Sequence, residues 1–315
     1  MTRTSSANNA THPGLSRLKL FMALSRTPHG LIDMATPGLA AMLWLGKMPS
    51  LPVLLLGILT AFAGYTAVYA LNDVVDYRVD REKIRETGLL HAANDLDAVY
   101  ARHPLAQGLL SLREGILWTA GWGAVALLGA YALNPTCAAV FAAACLAEAV
   151  YCLLLQVSYL RVLVSGAVKT AGAMAAVFAV TPDPSPFFMI CLFLWLFFWE
   201  IGGQNVPNDW SDLKEDSNLQ AETVPMRFGI EGMLQIILCS LALAIALSLL
   251  LYWVTPADLS PIYLLGALLC GVSLLLVPAY GLYKGRSARQ ASALFNRASY
   301  YPLAMLAVVC AGAFF

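Results

Sequence analysis

Two short stretches of the chain hold residues whose types and spacing could do chemistry together. Asn72-Asp73-Val74-Val75-Asp76-Tyr77-Arg78-Val79-Asp80 and Asn208-Asp209-Trp210-Ser211-Asp212-Leu213-Lys214-Glu215-Asp216 both read N-D-x-x-D-x-x-x-D. They contain six of the chain's eleven aspartates. Asn72, Asp76 and Asp80 recur every four residues, so on a helix they form one stripe, and Asn208, Asp212 and Asp216 form another. Asn205 and Asp209 extend the second stripe inward. Like charges at this spacing repel on a free helix by about 0.2–0.5 kcal/mol per pair. Such stripes make sense where a cation resides. Mg2+ takes hard oxygen ligands, keeps some waters, and is usually held by one or two carboxylates plus substrate phosphates. Two facing stripes could therefore hold Mg2+ around a diphosphate. A lone acidic run is usually a solvated helix end; the same run twice, at equivalent points, is hard to assign to that.

Basic residues complete this chemistry. Lys83, Arg85, Arg102 and Arg113 follow the first motif, and Lys214 and Arg227 accompany the second. A departing diphosphate needs its charge neutralised by metal and by cationic donors. The competing role for any one of them is to enforce membrane topology.

The elements that must position these residues are membrane helices. The 315-residue chain is 59% hydrophobic and 12% charged, where a soluble domain carries roughly 25% charge. Apolar blocks long enough to cross a bilayer, roughly 20 residues each, lie near 29–46, 51–71, 114–133, 136–156, 160–181, 186–206, 231–254, 261–283 and 297–315. In lipid every backbone polar group must be satisfied within the segment, so the blocks are helices. The expected fold is all-α, a polytopic membrane bundle of about nine transmembrane helices. Each aspartate motif ends an even-numbered span, which makes spans 1–4 and 5–8 two pseudo-repeated four-helix units with a ninth appended.

Charge placement orients the bundle. With nine spans, only Lys47 and Lys169 of the 19 lysines and arginines fall outside the N-terminal segment and the even-numbered loops. By the positive-inside rule the N-terminus and the motifs are cytoplasmic and the C-terminus is on the opposite side. Residues 1–28 form a cytoplasmic segment, polar and disordered over 1–13, with no cleavable signal. Residues 29–315 form one transmembrane domain, capped by cytoplasmic loops near 81–113 and 213–227. The seven cysteines show no metal-ligand spacing and read as reduced packing residues. The lipid bilayer is the expected surrounding; no nucleic-acid partner is expected.

Charge inside the bilayer is functional by default and needs a partner. Lys169 and Glu148 should lie at equal depth on successive helices, so an ion pair between them is expected, with Lys169 facing the diphosphate as the alternative. Glu200, above the second motif, would touch an acceptor or bond a neighbouring helix. Asp33 would line the pocket.

The motifs resemble those of the UbiA superfamily of intramembrane prenyltransferases. Its first aspartate motif is similar to Asn72–Asp80, and its second to Asp209, Asp212 and Asp216. Ser25-Arg26-Thr27-Pro28-His29 looks like the family's start. His103-Pro104-Leu105-Ala106-Gln107-Gly108-Leu109-Leu110-Ser111 is similar to its R-P-L-x-S-G-x-x-S segment, and Tyr159 with Arg161 to its tyrosine-plus-base element. The resemblance implies Mg2+-dependent ionisation of a prenyl diphosphate and transfer of the prenyl group to an aromatic or other small cyclic acceptor. Asp76, Asp80, Asp212 and Asp216 would be catalytic and, with Asn72, Asp73, Asn208 and Asp209, would hold metal. Lys83, Arg85, Arg102, Arg113, Tyr159, Arg161, Lys169 and Lys214 would bind the diphosphate.

The chain departs from the family at three points. His103 replaces arginine, Glu222 stands where lysine is common, and an extra stretch near 87–101 carries Asp95 and Asp97. Terpene cyclisation by the same fold is the alternative fate of the prenyl cation. A cation-coupled transporter is the rival of another class, although its carboxylates should sit near mid-membrane rather than at helix ends.

Overall fold

The architecture follows from long apolar helices interrupted at prolines. The computed structural model describes residues 15–87 and 96–314; residues 1–13, expected to be disordered, and Asp95 lie outside these. Helices α1 (Arg17–Leu24) and α2 (Thr27–Asp33) lead into α3 (Ala35–Leu45). α4 (Leu51–Val75) continues into α5 (Tyr77–Thr87), and α6 (Leu112–Leu133), α7 (Pro135–Leu153) and α8 (Arg161–Val180) follow. α9 (Pro186–Trp199), a π turn (Glu200–Asn205) and α10 (Val206–Ser211) make one rod, with α11 (Leu213–Asn218) beyond its end. α12 (Val224–Val254) precedes a second such rod: α13 (Ile262–Cys270), a π turn (Gly271–Leu276) and α14 (Val277–Gly285). α15 (Ala288–Ser299) and α16 (Tyr301–Phe314) end the chain. The described residues contain no strand.

Among the described residues seven helices are long and apolar enough to cross a membrane. The expected spans near 29–46 and 297–315 are instead built from shorter helices, and proline is the reason. Pro37 has no N–H to donate to the Asp33 carbonyl and its ring crowds that oxygen; the helix breaks there, between α2 and α3. Pro302 does the same to the Ala298 carbonyl, between α15 and α16. That carbonyl accepts from the Trp199 indole at 2.9 Å instead. Each π turn likewise ends two residues before a proline, Pro207 and Pro278. Widening the turn re-accommodates the carbonyl that a proline would strike.

The main core surrounds α9. Trp195 and Trp199 are fully buried there, α9 packs on α8 and α12, and the Trp195 indole donates to the Tyr301 hydroxyl at 3.2 Å. α4 and α6 pack on each other but turn Leu55, Leu59, Leu117 and Leu128 outward, as lipid-facing helices do. A smaller cluster of Leu20, Leu24, Leu105 and Leu110 ties α1 to the segment before α6.

Glycine sets how closely α9's rod meets its neighbours. A Cβ on Gly202 would come within 2.8 Å of Ser240 Cβ and 3.0 Å of the Ile237 carbonyl oxygen on α12. A backbone oxygen cannot rotate away, so Gly202→Ala should push the rods apart and cost about 1–3 kcal/mol of stability. Thermal unfolding in detergent measures this. Gly121→Ala, which meets nothing within 4 Å, should leave the midpoint unchanged or slightly raised.

Candidate functional site

Both aspartate motifs bend at their central residue in the same way. Asp76 (φ −80°, ψ 0°) ends α4 and Asp212 (φ −95°, ψ 6°) ends α10. The helical ladder nevertheless continues through each: Asp76 N–H donates to Asn72 O and Asp80 N–H to Asp76 O, both at 2.9 Å. Asp212 N–H donates to Asn208 O at 3.1 Å and Asp216 N–H to Asp212 O at 2.9 Å. The stripes therefore survive, but each turns a corner as its helix leaves the apolar layer.

The stripes converge on one cavity of about 380 Å³, lined by Asn72, Asp76 and Asp80 on one side and Asn208, Asp209, Asp212 and Asp216 on the other. The same cavity reaches Leu54 near the start of α4 and Val180 at the end of α8. From Leu54 to Asn72 along α4 is roughly 27 Å at about 1.5 Å per residue. The cavity is acidic at one end, apolar at the other, and nearly as long as the hydrocarbon layer is thick.

Cations cross-link the two halves. Arg102 donates to Asp212 at 3.0 Å and to Glu215 at 2.9 Å, and Lys83 lies 3.9 Å from Asp216. Arg161 lies 3.8 Å from Asp209 and stacks on the Tyr151 ring with its guanidinium carbon 3.9 Å from the centroid. Burial pushes the Asp216 carboxyl up to about 6 against the pull of Lys83, with Asp212 adding to the rise. Burial, then Asp80, also raises Asp76.

His103 resolves its own departure from the family pattern. Its Nδ1 sits 2.9 Å from Asp80 and 3.6 Å from Asp73. Burial lowers its pKa, but these carboxylates outweigh that and raise it to about 9. In its charged form it would bring the charge that an arginine brings. Burial would raise Asp80, yet His103 and Lys83 bring it below its ordinary value.

Several expected site residues stand elsewhere. Arg85 is exposed and 3.9 Å from Glu82, and Arg113 and Lys214 are also exposed. None of the three lines the cavity, because each lies on the solvent side of its helix. Tyr159 packs edge-on against Phe228, 5.0 Å away. Asp73 is buried off the cavity against Arg26, at 3.4 Å, and His103. Asn72 lines the cavity, but its Oδ1 accepts from Arg26 at 2.9 Å and its Nδ2 donates to Glu148 at 2.7 Å. Glu222 is exposed, with its backbone N–H donating to Leu155 O at 2.7 Å.

The expected Lys169–Glu148 ion pair is not formed. Lys169 Nζ donates to Asp33 Oδ2 at 2.7 Å and to the Tyr69 hydroxyl at 3.1 Å, and Tyr69 itself donates to Asp33. Equal depth does not fix rotation about the helix axes. Glu148 turns toward α4 and Asn72, while the break at Pro37 aims Asp33, at the end of α2, toward Lys169.

Three residues that line the cavity were given no role by the sequence, although Arg26 and His29 lie in the segment that resembles the family's start. Arg26 takes a left-handed backbone (φ 43°) between α1 and α2, a position that costs a residue with a Cβ about 1 kcal/mol or more. There it contacts Asn72, Asp73 and, at 3.1 Å, Asp97. His29 bonds Asp97 at 2.5 Å. Asp97, from the extra stretch, is held well below the usual carboxylate range, because His29 and Arg26 overcome the effect of burial. Only the extra length of the 87–101 segment hinted at it.

The donor set suits a hard cation. Asn205 Oδ1 and Asp209 Oδ2 are buried with no hydrogen-bond partner, and both residues line the cavity beside the carboxylates. Oxygen atoms without partners, next to several acidic groups, are what Mg2+ coordinates.

Comparisons with known proteins agree on one family. The profile of the UbiA prenyltransferase family matches residues 34–300. The fold is shared with the apo structure of a UbiA homolog from Aeropyrum pernix K1: TM-score 0.71, 19% identity, 90% of this chain and 97% of that one covered. Digeranylgeranylglyceryl phosphate synthase gives TM-score 0.67 and 18% identity over 94% and 98%. A UbiA homolog from Archaeoglobus fulgidus bound to GPP and Mg2+ gives 0.65 and 19% over 92% and 99%. No curated protein sequence matches the chain.

The buried pair makes a stability prediction. Lys169→Met alone should strand Asp33 without its cation and cost about 3–5 kcal/mol. Adding Asp33→Asn should restore much of it, whereas adding Glu148→Gln should not. A thermal-unfolding double-mutant cycle in detergent reads the difference.

Proposed function

This chain belongs to the UbiA prenyltransferase family, and from that premise we propose that it transfers a prenyl group from a prenyl diphosphate to an aromatic or other small cyclic acceptor within the membrane. One observation carries this proposal. Both N-D-x-x-D-x-x-x-D motifs face the acidic end of a cavity whose other end is apolar and reaches across the bundle. A diphosphate suits the first end and an isoprenoid tail the second. Archaeoglobus fulgidus homologs bound to DMAPP and Mg2+ and to GPP and Mg2+ support the same substrate class.

The roles follow from placement. Asp76, Asp80, Asp209, Asp212 and Asp216 would hold Mg2+, with Asn205 and Asn208 beside them and Asn72 and Asp73 fixing Arg26. When bound, Mg2+ neutralises the diphosphate and lowers the barrier to its departure. Lys83 and Arg161 line the cavity and would bind the leaving diphosphate, whereas Lys169, paired with Asp33, is assigned no role there. Arg102 orients Asp212. Arg85, Arg113 and Lys214 serve topology, with the N-terminus and the acidic end cytoplasmic and the C-terminus on the opposite side. The described parts of the segments near 81–113 and 213–227 would cap the acidic end and keep out water that would quench the allylic cation.

Asp76→Ala or Asp212→Ala should lower Mg2+-dependent diphosphate release by about 100-fold or more, with the thermal midpoint retained. Near-normal release in both variants would remove the metal assignment. Without acceptor, prenyl diphosphates should give slow hydrolysis that becomes coupled product once an aromatic acceptor is added. A single cyclic terpene formed efficiently in its absence would replace transfer by cyclisation.

A further inference from the structure

Deeper in the cavity, beyond the groups assigned to metal and diphosphate, lies a second polar cluster that the ionisation step does not use. Glu200 opens the π turn and lines the cavity. Its Oε1 accepts from the Ser165 hydroxyl at 2.8 Å. Its Oε2 is buried and has no hydrogen-bond partner, and the residue as a whole is 6% exposed.

The charges around it are already matched. Lys169 is paired with Asp33 at 2.7 Å, and Asp97 with Arg26 and His29. Glu200 forms no ion pair within 4 Å among the described residues; its Oε2 has no partner, and the residue lines the same cavity as Tyr65 and Tyr69. A buried carboxylate oxygen of this kind is satisfied by a ligand that brings a hydrogen-bond donor. The π turn is what aims it: a widened turn rotates the side chains at its start relative to those of a regular helix, and such turns recur at functional sites.

We propose that Glu200 is the residue that recognises the acceptor, by accepting a hydrogen bond from a ring hydroxyl at Oε2, and that it takes that hydroxyl's proton during transfer. This rests on the prenyl-transfer function proposed above. The bonds balance as follows. The C1–O bond of the prenyl diphosphate breaks and its electron pair leaves with the diphosphate. A π pair of the ring forms the new bond to C1 while the O–H proton passes to the Glu200 carboxylate, giving a dienone. The ring C–H proton then moves to the dienone oxygen and restores the aromatic ring, and the proton held by Glu200 is released to water as product leaves, which regenerates the carboxylate. Ser165 holds the carboxylate in place through Oε1. Buried acceptors that need a donor make such a pocket reject ring ethers, which present none.

The test uses 2-naphthol and 2-methoxynaphthalene as probes of the detergent-solubilised full chain with Mg2+ and inorganic diphosphate. Calorimetric binding should favour 2-naphthol by about tenfold or more in the wild type, a preference that a site built for a hydroxyl supports. Glu200→Gln should cut the preference below about threefold, while Glu200→Asp, which keeps the carboxylate, should retain part of it. In turnover with a prenyl diphosphate, Glu200→Gln should lower the ratio of coupled product to prenyl alcohol by about 100-fold, the scale of a lost general base. Equal binding of naphthol and ether by the wild type, or an unchanged product ratio in a folded Glu200→Gln, overturns the assignment. If instead the wild type releases no diphosphate from any prenyl diphosphate, the prenyl-transfer function fails, and the naphthol preference still decides the Glu200 site.

Discussion

Carboxylates from two helices must share one low-dielectric cavity without driving those helices apart, and the rest of the structure depends on how this is met. Repulsion between unit charges grows steeply as water is excluded. The cations that offset it come from other segments. Lys83 on α5 and Arg102 just before α6 pair with the second motif, and Arg161 at the start of α8 reaches back to Asp209. His103, also before α6, sits beside Asp80. Each pairing therefore fastens segments that are distant in sequence. The acidic end is the clasp of the bundle and, in the function proposed, its chemical centre.

Proline shapes what the clasp encloses. Pro37 ends α2 and places Asp33 against Lys169, Pro302 frees the carbonyl that receives Trp199, and Pro207 follows the π turn that begins at Glu200. Of these residues, Pro37 and Glu200 line the cavity. A regular helix at either would present a different face to it.

The acidic end was legible in the sequence because its signal is local: four-residue spacing, repeated, at the ends of apolar blocks. Helical character, membrane insertion and the meeting of the two motifs all follow from that pattern. The deeper cluster was not legible. Glu148 and Lys169 lie at matching depth, but which way each side chain points depends on axial rotation, and that is set by packing across the whole bundle. Arg26, His29 and Asp97 meet only because the fold brings Asp97 against the α1–α2 corner. The role of His103 could not be read from its type either; two carboxylates brought near by the fold favour its charged form. The outermost spans differ from the expectation for the reason already visible in Pro37 and Pro302, whose effect on a membrane helix is settled by the neighbours that take up the freed carbonyl.

The long cavity has a consequence for where the protein can work. Its length is set by α4, a 25-residue rod that is also matched to the hydrocarbon layer. Helices answer a thicker or thinner bilayer by tilting. Tilt of α4 against α7 and α8 would alter the width of the passage rather than its length. Membrane thickness would thus act on the same dimension that a lipid-soluble tail has to fit in the function proposed, and the host bilayer would select substrate alongside the residues of the wall.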